Sequence, residues 1–414
     1  MNHRSVVLST ASDGPFYSFH FISTMEDKLT GWQSRKTGGE AAEEYRVLWI
    51  TNFAAPYRMP VWRQLAERYS LEVAVLVGSE HFHLDGKNRG DEWAPKERNS
   101  DNFSIKVLRS RRVSRITRPV YLLASSMTIR QFPSAGNLIL GGWQEPAYWQ
   151  ALMTAKIKGI RTIGFYESTP QSQTHKVGLV AGARKFFFRS LDAVVVPGPS
   201  AAMAVRKMGV KDTKIFEGFN AVDVAAFHEA RWHRSEKKRE GHKFLYVGRL
   251  IGLKNVASII SAFHRIRLPN DTLTIVGEGE LRANLREQAD SLGLGNQVVF
   301  LGPVAYAALP QVMVQHDTLV LSSLSEVWGL VVNEALAAGL HCVVGQRCGV
   351  AASVESMRGV YISDVDIESL AISMASSREA WTGPIDTPEI MSNTPEAFAA
   401  VFEAALGAGT KRNT

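Results

Sequence analysis

The stretch FLYVGRLIGLKNVASIISAFHRIR (Phe244–Arg267) decides the fold. FLYVG is a short apolar run closed by a glycine, the pattern of a buried strand. From Asn255 to Arg267, Val256, Ile259, Ile260 and Phe263 recur at helical spacing, so they share one face and pack on a sheet. The same strand-then-helix unit repeats downstream. TLTIVG (Thr272–Gly277) leads to a helix from about Glu280, and QVVFLG (Gln297–Gly302) to a short helix. TLVLSS (Thr318–Ser323) leads to another helix, and HCVVG (His341–Gly345) follows. Upstream, RVLWIT (Arg46–Thr51) precedes a helix over Pro60–Tyr69, and LEVAVLVG (Leu71–Gly78) is the next strand. NLILGG (Asn137–Gly142) precedes a helix over Tyr148–Lys158, RTIGFY (Arg161–Tyr166) one over Val180–Arg189, and DAVVVPG (Asp192–Gly198) closes the series. Continuous apolar strands alternating with helices predict parallel sheets covered on both faces. Two such α/β domains would leave a cleft at the carboxyl ends of their strands, where open sheets bind ligands.

The 414 residues exceed what one hydrophobic core organises. Residues 1–44 are polar and lack periodicity, and read as a flexible leader; Met25 is an alternative start. Residues 45–225 read as a first domain, 226–243 as a charged linker containing RWHRSEKKREGHK (Arg231–Lys243), 244–390 as a second domain, and 391–414 as a carboxyl-terminal helix and tail. Apolar residues make up 45% and charged residues 21%, as in ordinary globular proteins. No run approaches the length of a membrane span, and the first residues show no secretory signal. Cys342 and Cys348, the only cysteines, make neither a disulfide framework nor a metal site, so a cytoplasmic location is the expectation. The net charge of +7 favours anionic partners. No nucleic-acid module accompanies it, and nucleic acid is not expected as a partner.

Three features of the second domain carry the chemistry. In VGRLIGLKN (Val247–Asn255) a strand ends near Gly248, and Arg249 and Lys254 follow in one loop before a helix. Two cations beside free helix-end N–H groups suit a diphosphate. In VGEGEL (Val276–Leu281), Gly277 and Gly279 let backbone approach a ligand on either side of Glu278. In SEVWGLVVNEALAAG (Ser325–Gly339), Glu326 sits in a loop, Gly329 turns the chain into a helix at Leu330, and Glu334 lies near its first turn. Each feature has a plain alternative: two surface cations, a common turn, and a helix-dipole acid. Carboxylates in the last accept hydrogen bonds from sugar hydroxyls.

The spacing of Glu326 and Glu334, E-x7-E, with VGRL…LKN and VGEGE preceding it in order, resembles glycosyltransferase family 4. The resemblance runs from about Tyr45 to Asp366 and is sharpest from Phe244 to Val350. It implies a GT-B fold, two facing Rossmann-like domains with the donor held by the second, and transfer of a hexose with retention from a nucleotide diphosphate sugar to a glycan or lipid-linked acceptor. It implies that Arg249 and Lys254 bind the diphosphate, that Glu326 meets the transferred sugar and Glu334 the ribose, and that the Gly329–Leu330 backbone lies near the phosphates. In the first domain, ITNFAAPYRMP (Ile50–Pro60) resembles a subgroup with an N-x-x-x-PYR pattern. Glu167, in FYESTPQ (Phe165–Gln171), stands near a position where many relatives carry a histidine; the resemblance implies either that Tyr166 or Glu167 substitutes for it or that Glu167 is a plain strand-end acid. FNAVD (Phe219–Asp223) resembles the N-G-V-D hinge.

Asp364-Val365-Asp366 has the form of a manganese-binding DxD but reads as a cap for a helix over Ile367–Met374. No metal or other cofactor is expected, since cations and helix ends already counter the diphosphate charge. RSRRVSRITR (Arg109–Arg118) interleaves cations with apolar residues. It reads either as a solvated loop or as a peripheral contact with the inner membrane face or a lipid-linked phosphate. Two other functions compete: a non-catalytic nucleotide-sugar binding protein, and a sugar-nucleotide epimerase on the same fold.

Overall fold

The computed structural model describes residues 46–77, 98–99, 102–108, 110–113, 120–123, 136–173, 175–234 and 240–407. The leader at 1–44 and most of Arg109–Arg118 lie outside the described residues.

The first domain holds β1 (Arg46–Thr51), α1 (Met59–Arg68), β2 (Ser70–Val75), β3 (Arg98–Asn99), β4 (Ser104–Val107), β5 (Ser110–Val113), β6 (Val120–Leu123), β7 (Asn137–Leu140), α2 (Pro146–Ile157), β8 (Arg161–Phe165), α3 (Leu179–Ser190), β9 (Ala193–Pro197), α4 (Gly198–Lys207) and β10 (Ile215–Gly218). Its sheet runs β10-β9-β8-β7-β1-β2-β4-β3. All pairs in it are parallel except β3 with β4. β5 and β6 form a separate antiparallel pair. Strand order reverses at β1, whose neighbours are β7 and β2, and this is the switch point where such sheets open to ligands. The strands read as unbroken apolar runs because both faces are covered: Leu48 and Ile50 enter one core with Tyr148 and Phe188, while Val47 and Trp49 enter the other with Trp62 and Phe165.

A short helix α5 (Ala225–Glu229) leads to the second domain: β11 (Lys243–Val247), α6 (Val256–Ile266), β12 (Thr272–Val276), α7 (Arg282–Ser291), β13 (Val298–Gly302), α8 (Leu309–Met313), β14 (Thr318–Leu321), α9 (Leu330–Ala337), β15 (His341–Gly345), α10 (Ala351–Val354), β16 (Val360–Ser363) and α11 (Ile367–Glu379). Its sheet, β13-β12-β11-β14-β15-β16, is parallel throughout. The four apolar residues predicted on the inner face of α6 are all buried. These are two Rossmann-like domains, as the alternation of strands and helices predicts.

Two segments are tied to distant partners. In the charge run, Arg231 and Arg234 lie against the second domain as a domain edge. Arg234 pairs with Asp317 and donates to the His316 carbonyl at 2.9 Å, and Arg231 donates to the Ile385 carbonyl at 2.9 Å. Each guanidinium finds carbonyl or carboxylate acceptors on the second domain, which outweighs its hydration. The expected carboxyl-terminal helix is α12 (Pro395–Gly407), which crosses back and enters the first domain's core. Phe402 packs against Trp49 with ring centroids 4.8 Å apart and against Phe165 at 5.4 Å. Arg161 secures the helix end by donating twice to the Ala405 carbonyl.

Candidate active site

A cleft of about 390 Å³ lies between the two sheets. From the first domain it is lined by Tyr57, Glu167 and Asn220, and from the second by Val247, Lys254, Leu321 and the loop-to-helix segment Glu326–Val331. These residues follow strand ends on both sides, as open α/β sheets place ligand sites.

On the second domain, Lys254 closes a short 3₁₀ turn (Gly252–Lys254) after β11, and its ammonium bonds to the Glu326 carboxylate. Ser323 Oγ also donates to that carboxylate, at 3.3 Å. Glu326 is held by backbone as well, because its carbonyl accepts from the Gly349 amide at 3.1 Å. Gly329 has φ of 105° and precedes α9; a Cβ there would lie 2.7 Å from Leu321. Only glycine fits that turn. The opening amides of α9 thus start beside the Lys254–Glu326 pair, a preorganised positive end.

Asn255 has a left-handed backbone with φ of 58°, the one non-glycine residue of that kind among the described residues. Its side chain compensates for the strain: Nδ2 donates to Ser322 Oγ at 3.2 Å and to the Val365 carbonyl at 2.9 Å, and Oδ1 accepts from Ser258 at 2.7 Å. Asn255 therefore fixes the Lys254 loop to the neighbouring strand ends. The sequence reading gave it no role, although Asn is the residue expected at an obligatory left-handed turn.

Gly277 and Gly279 have a structural reason to be glycine. A Cβ on Gly277 would fall 1.9 Å from the Gly248 carbonyl oxygen, and one on Gly279 would fall 2.4 Å from that of Leu250. The two loops clasp each other, the Leu250 amide donating to the Glu278 carbonyl at 2.9 Å. Glu278 pairs with Arg282. Gly248, Arg249, Gly277 and Glu278 are not among the cleft-lining residues, and Arg249 is exposed beside the cleft.

Glu334 is the fifth residue of α9, not in its first turn, and it is buried. Burial pushes its carboxyl up to about 7, and a hydrogen bond from the Tyr306 hydroxyl partly opposes that rise. Tyr306, in the 3₁₀ turn after β13, also meets Phe227 edge-on with centroids 5.8 Å apart.

On the first domain, Arg58 pairs with Glu167, and Asn220 Nδ2 donates to the other Glu167 oxygen at 3.2 Å. Arg58 stands over the Phe165 ring at 4.9 Å. Burial disfavours its charge, but the adjacent Glu167 carboxylate overcomes that and holds the guanidinium protonated above its ordinary range. Glu167 and Asn220 thus reach the cleft as one anchored unit. Tyr166 turns away: it is buried, and its hydroxyl accepts from Gln173 at 3.0 Å. Asp366 caps α11, accepting from the Ser369 amide at 2.9 Å. Its carboxylate is held low by that bond and by the Ser369 hydroxyl. Among the described residues no helix is long and apolar enough to cross a membrane.

Residues 229–379, which contain most of the second domain, match the family model described as Glycosyl transferases group 1. An uncharacterized glycosyltransferase of Methanocaldococcus jannaschii is 29% identical over 164 residues, 38% of this chain and 42% of that one. A glycogen synthase of Mycobacterium tuberculosis is 35% identical over 162 residues, 38% of each chain. The mannosylfructose-phosphate synthase of Agrobacterium fabrum is 33% identical over 146 residues, 33% of this chain and 32% of that one. The chain spans less than half the length of each of these relatives. Among solved structures, a glycosyltransferase from Rickettsia africae superposes with a TM-score of 0.62 at 10% identity, covering 89% of this chain and all of that one. An Anabaena protein in complex with UDP superposes with a TM-score of 0.60 at 14% identity, covering 88% and 95%. The described residues share the GT-B fold.

Proposed function

We propose that this protein is a retaining glycosyltransferase that moves a hexose from a nucleotide diphosphate sugar to a glycan or lipid-linked acceptor. The observation that carries the reading is the Lys254–Glu326 pair on the cleft wall, set beside the opening amides of α9. The family match of the second domain supports it, as do structural neighbours described in complex with UDP and with UDP-glucose.

In this account the bond from the anomeric carbon to the diphosphate breaks, and its electrons go to the departing phosphate oxygen. Lys254 and the α9 amides counter the charge that develops there, with Arg249 approaching from the rim. Groups already oriented in a sheltered cleft stabilise the transition state more than mobile water does. Glu326 holds the transferred sugar and Glu334 the ribose hydroxyls. The acceptor oxygen bonds to the same face of the anomeric carbon, and its proton passes to the leaving phosphate. Glu167 and Asn220 form the opposite wall, where the acceptor enters. No cofactor is required.

The test is incubation with a panel of nucleotide sugars, with nucleoside diphosphate release and the anomeric configuration of the product as readouts. Release with retention supports the reading. Binding without turnover would favour a nucleotide-sugar binding protein, and recovery of an isomerised nucleotide sugar would favour an epimerase.

A further inference from the structure

We propose that the face of the first domain formed by α2 and α3 docks on an anionic lipid bilayer. Scattered exposed apolar residues are ordinary on any protein, but a contiguous strip is not. On α3, Leu179 is 94% and Phe186 67% exposed, and Val177, in the loop before it, 85%. On α2, Met153 is 62% and Ile157 82% exposed. Trp149, Met153 and Ile157 are four residues apart, so they form one stripe along α2. Leu179 and Phe186 are seven apart and form a stripe along α3. The two stripes join where Phe186 lies flat beside Trp149, ring centroids 6.3 Å apart and planes 2° from parallel.

Charge identifies the occupant. Between His175 and Ser190 the sequence holds Lys176, Arg184, Lys185 and Arg189 and no acid; between Pro146 and Arg161 it holds Lys156, Lys158 and Arg161 and no acid. Arg184 is committed inward, to Gln173 and the His175 carbonyl, Arg161 to the Ala405 carbonyl, and Lys156 is paired with Asp192. Lys176, Lys185 and Arg189 are exposed around the strip. The acid beside this face, Asp192, is neutralised by Lys156; aliphatic and aromatic groups rimmed by the remaining cations match the boundary between anionic headgroups and acyl chains.

The placement would also serve the cleft. The loop 166–178 joins Glu167, on the cleft wall, to the start of α3 at Leu179. The strip therefore begins at the sheet edge that carries the cleft, where a membrane-borne acceptor would arrive. The docking itself does not depend on the transfer reaction.

The experiment is sedimentation of the full chain with vesicles of phosphatidylcholine alone or with phosphatidylglycerol added, for wild type, Leu179→Glu plus Phe186→Glu, and Lys176→Glu plus Lys185→Glu. Wild type should bind the anionic vesicles and not the neutral ones, and high salt should release it. Each cation contributes roughly a fivefold change in partition, so either double variant should lose at least about tenfold, with an unchanged melting midpoint and unchanged release of nucleoside diphosphate from soluble donors. Absence of wild-type binding to anionic vesicles, or wild-type binding by both variants, overturns the proposal. So does a wild-type dimer in sedimentation velocity that Leu179→Glu plus Phe186→Glu abolishes, which would give the face to a second copy of the chain.

Discussion

The Lys254 ammonium is bonded to the Glu326 carboxylate, joining the loop after β11 to the loop that opens α9. The pair is partly shielded, and each group neutralises the other before any ligand arrives. A donor diphosphate would take Lys254 as its counter-ion and leave the carboxylate to the hydroxyls of the sugar. Removing either partner therefore alters both halves of the donor site.

Lys254→Ala should lower turnover about 10²–10³-fold, the loss usual for one transition-state donor, while leaving the fold intact. Glu326→Ala should reduce turnover more than Glu334→Ala, because Glu326 is assigned to the reacting sugar. Steady-state kinetics with a soluble donor decides this. A larger loss of kcat in Glu334→Ala at unchanged nucleotide affinity would reverse the two roles.

Glu334 and His242 should give opposite pH dependences of stability. The buried Glu334 carboxyl titrates at about 7 in the folded protein instead of 4.5, so its contribution is present below 4.5 and lost as pH rises through 7. Burial lowers His242 from 6.5 to about 4, so the unfolded chain takes up its proton first and stability falls as pH drops from 6.5 to 4. Each shift corresponds to about 3 kcal/mol at most. Between 4.5 and 6.5 the two slopes oppose each other. Glu334→Gln should gain stability at pH 8 and lose it on acidification more steeply than wild type, as urea melts at several pH values will show. Parallel curves would contradict the burial of Glu334.

Phe402→Ala should destabilise the protein by about 3–5 kcal/mol, because the ring is enclosed by Trp49, Phe165 and Phe398. Deleting residues 395–414 should expose the first domain's core rather than trim a tail. Thermal melts followed by tryptophan fluorescence report this, since Trp49 sits against that ring. An unchanged melting midpoint in either variant would show that α12 does not hold the domain.

Much of the fold was legible because parallel strands buried on both faces read as short apolar runs, and β7, β8, β11 and β12 stand within a residue or two of their predicted places. That Lys254, Glu326 and Gly329 share one cleft wall was legible too, since they come from two loop-to-helix segments whose spacing is local. What could not be read depends on distant partners. Arg58 and Glu167 are separated by 109 residues and meet only because β1 and β8 share a sheet. The apolar face of PEAFAAVFEAALG shows that α12 packs, but not on which domain. Asn220 looked like a hinge residue, and only the folded chain brings it beside Glu167 and brings Tyr306 beside Glu334. The glycines of VGEGE were read as making room for a ligand, when the nearest atoms they accommodate are the carbonyls of the adjacent loop.

The central claim is that positive groups of the chain itself, without a metal, carry the departing diphosphate. The measurement is nucleoside diphosphate release from a panel of nucleotide sugars with acceptor extract, in excess EDTA, by wild type, Lys254→Ala, and Asp364→Ala plus Asp366→Ala. The account predicts that wild type keeps its activity in EDTA, that the Asp364 and Asp366 double variant matches it, and that Lys254→Ala loses about 10²–10³-fold. Complete loss of wild-type activity in EDTA, restored by manganese and abolished by the Asp364 and Asp366 substitutions, would contradict it.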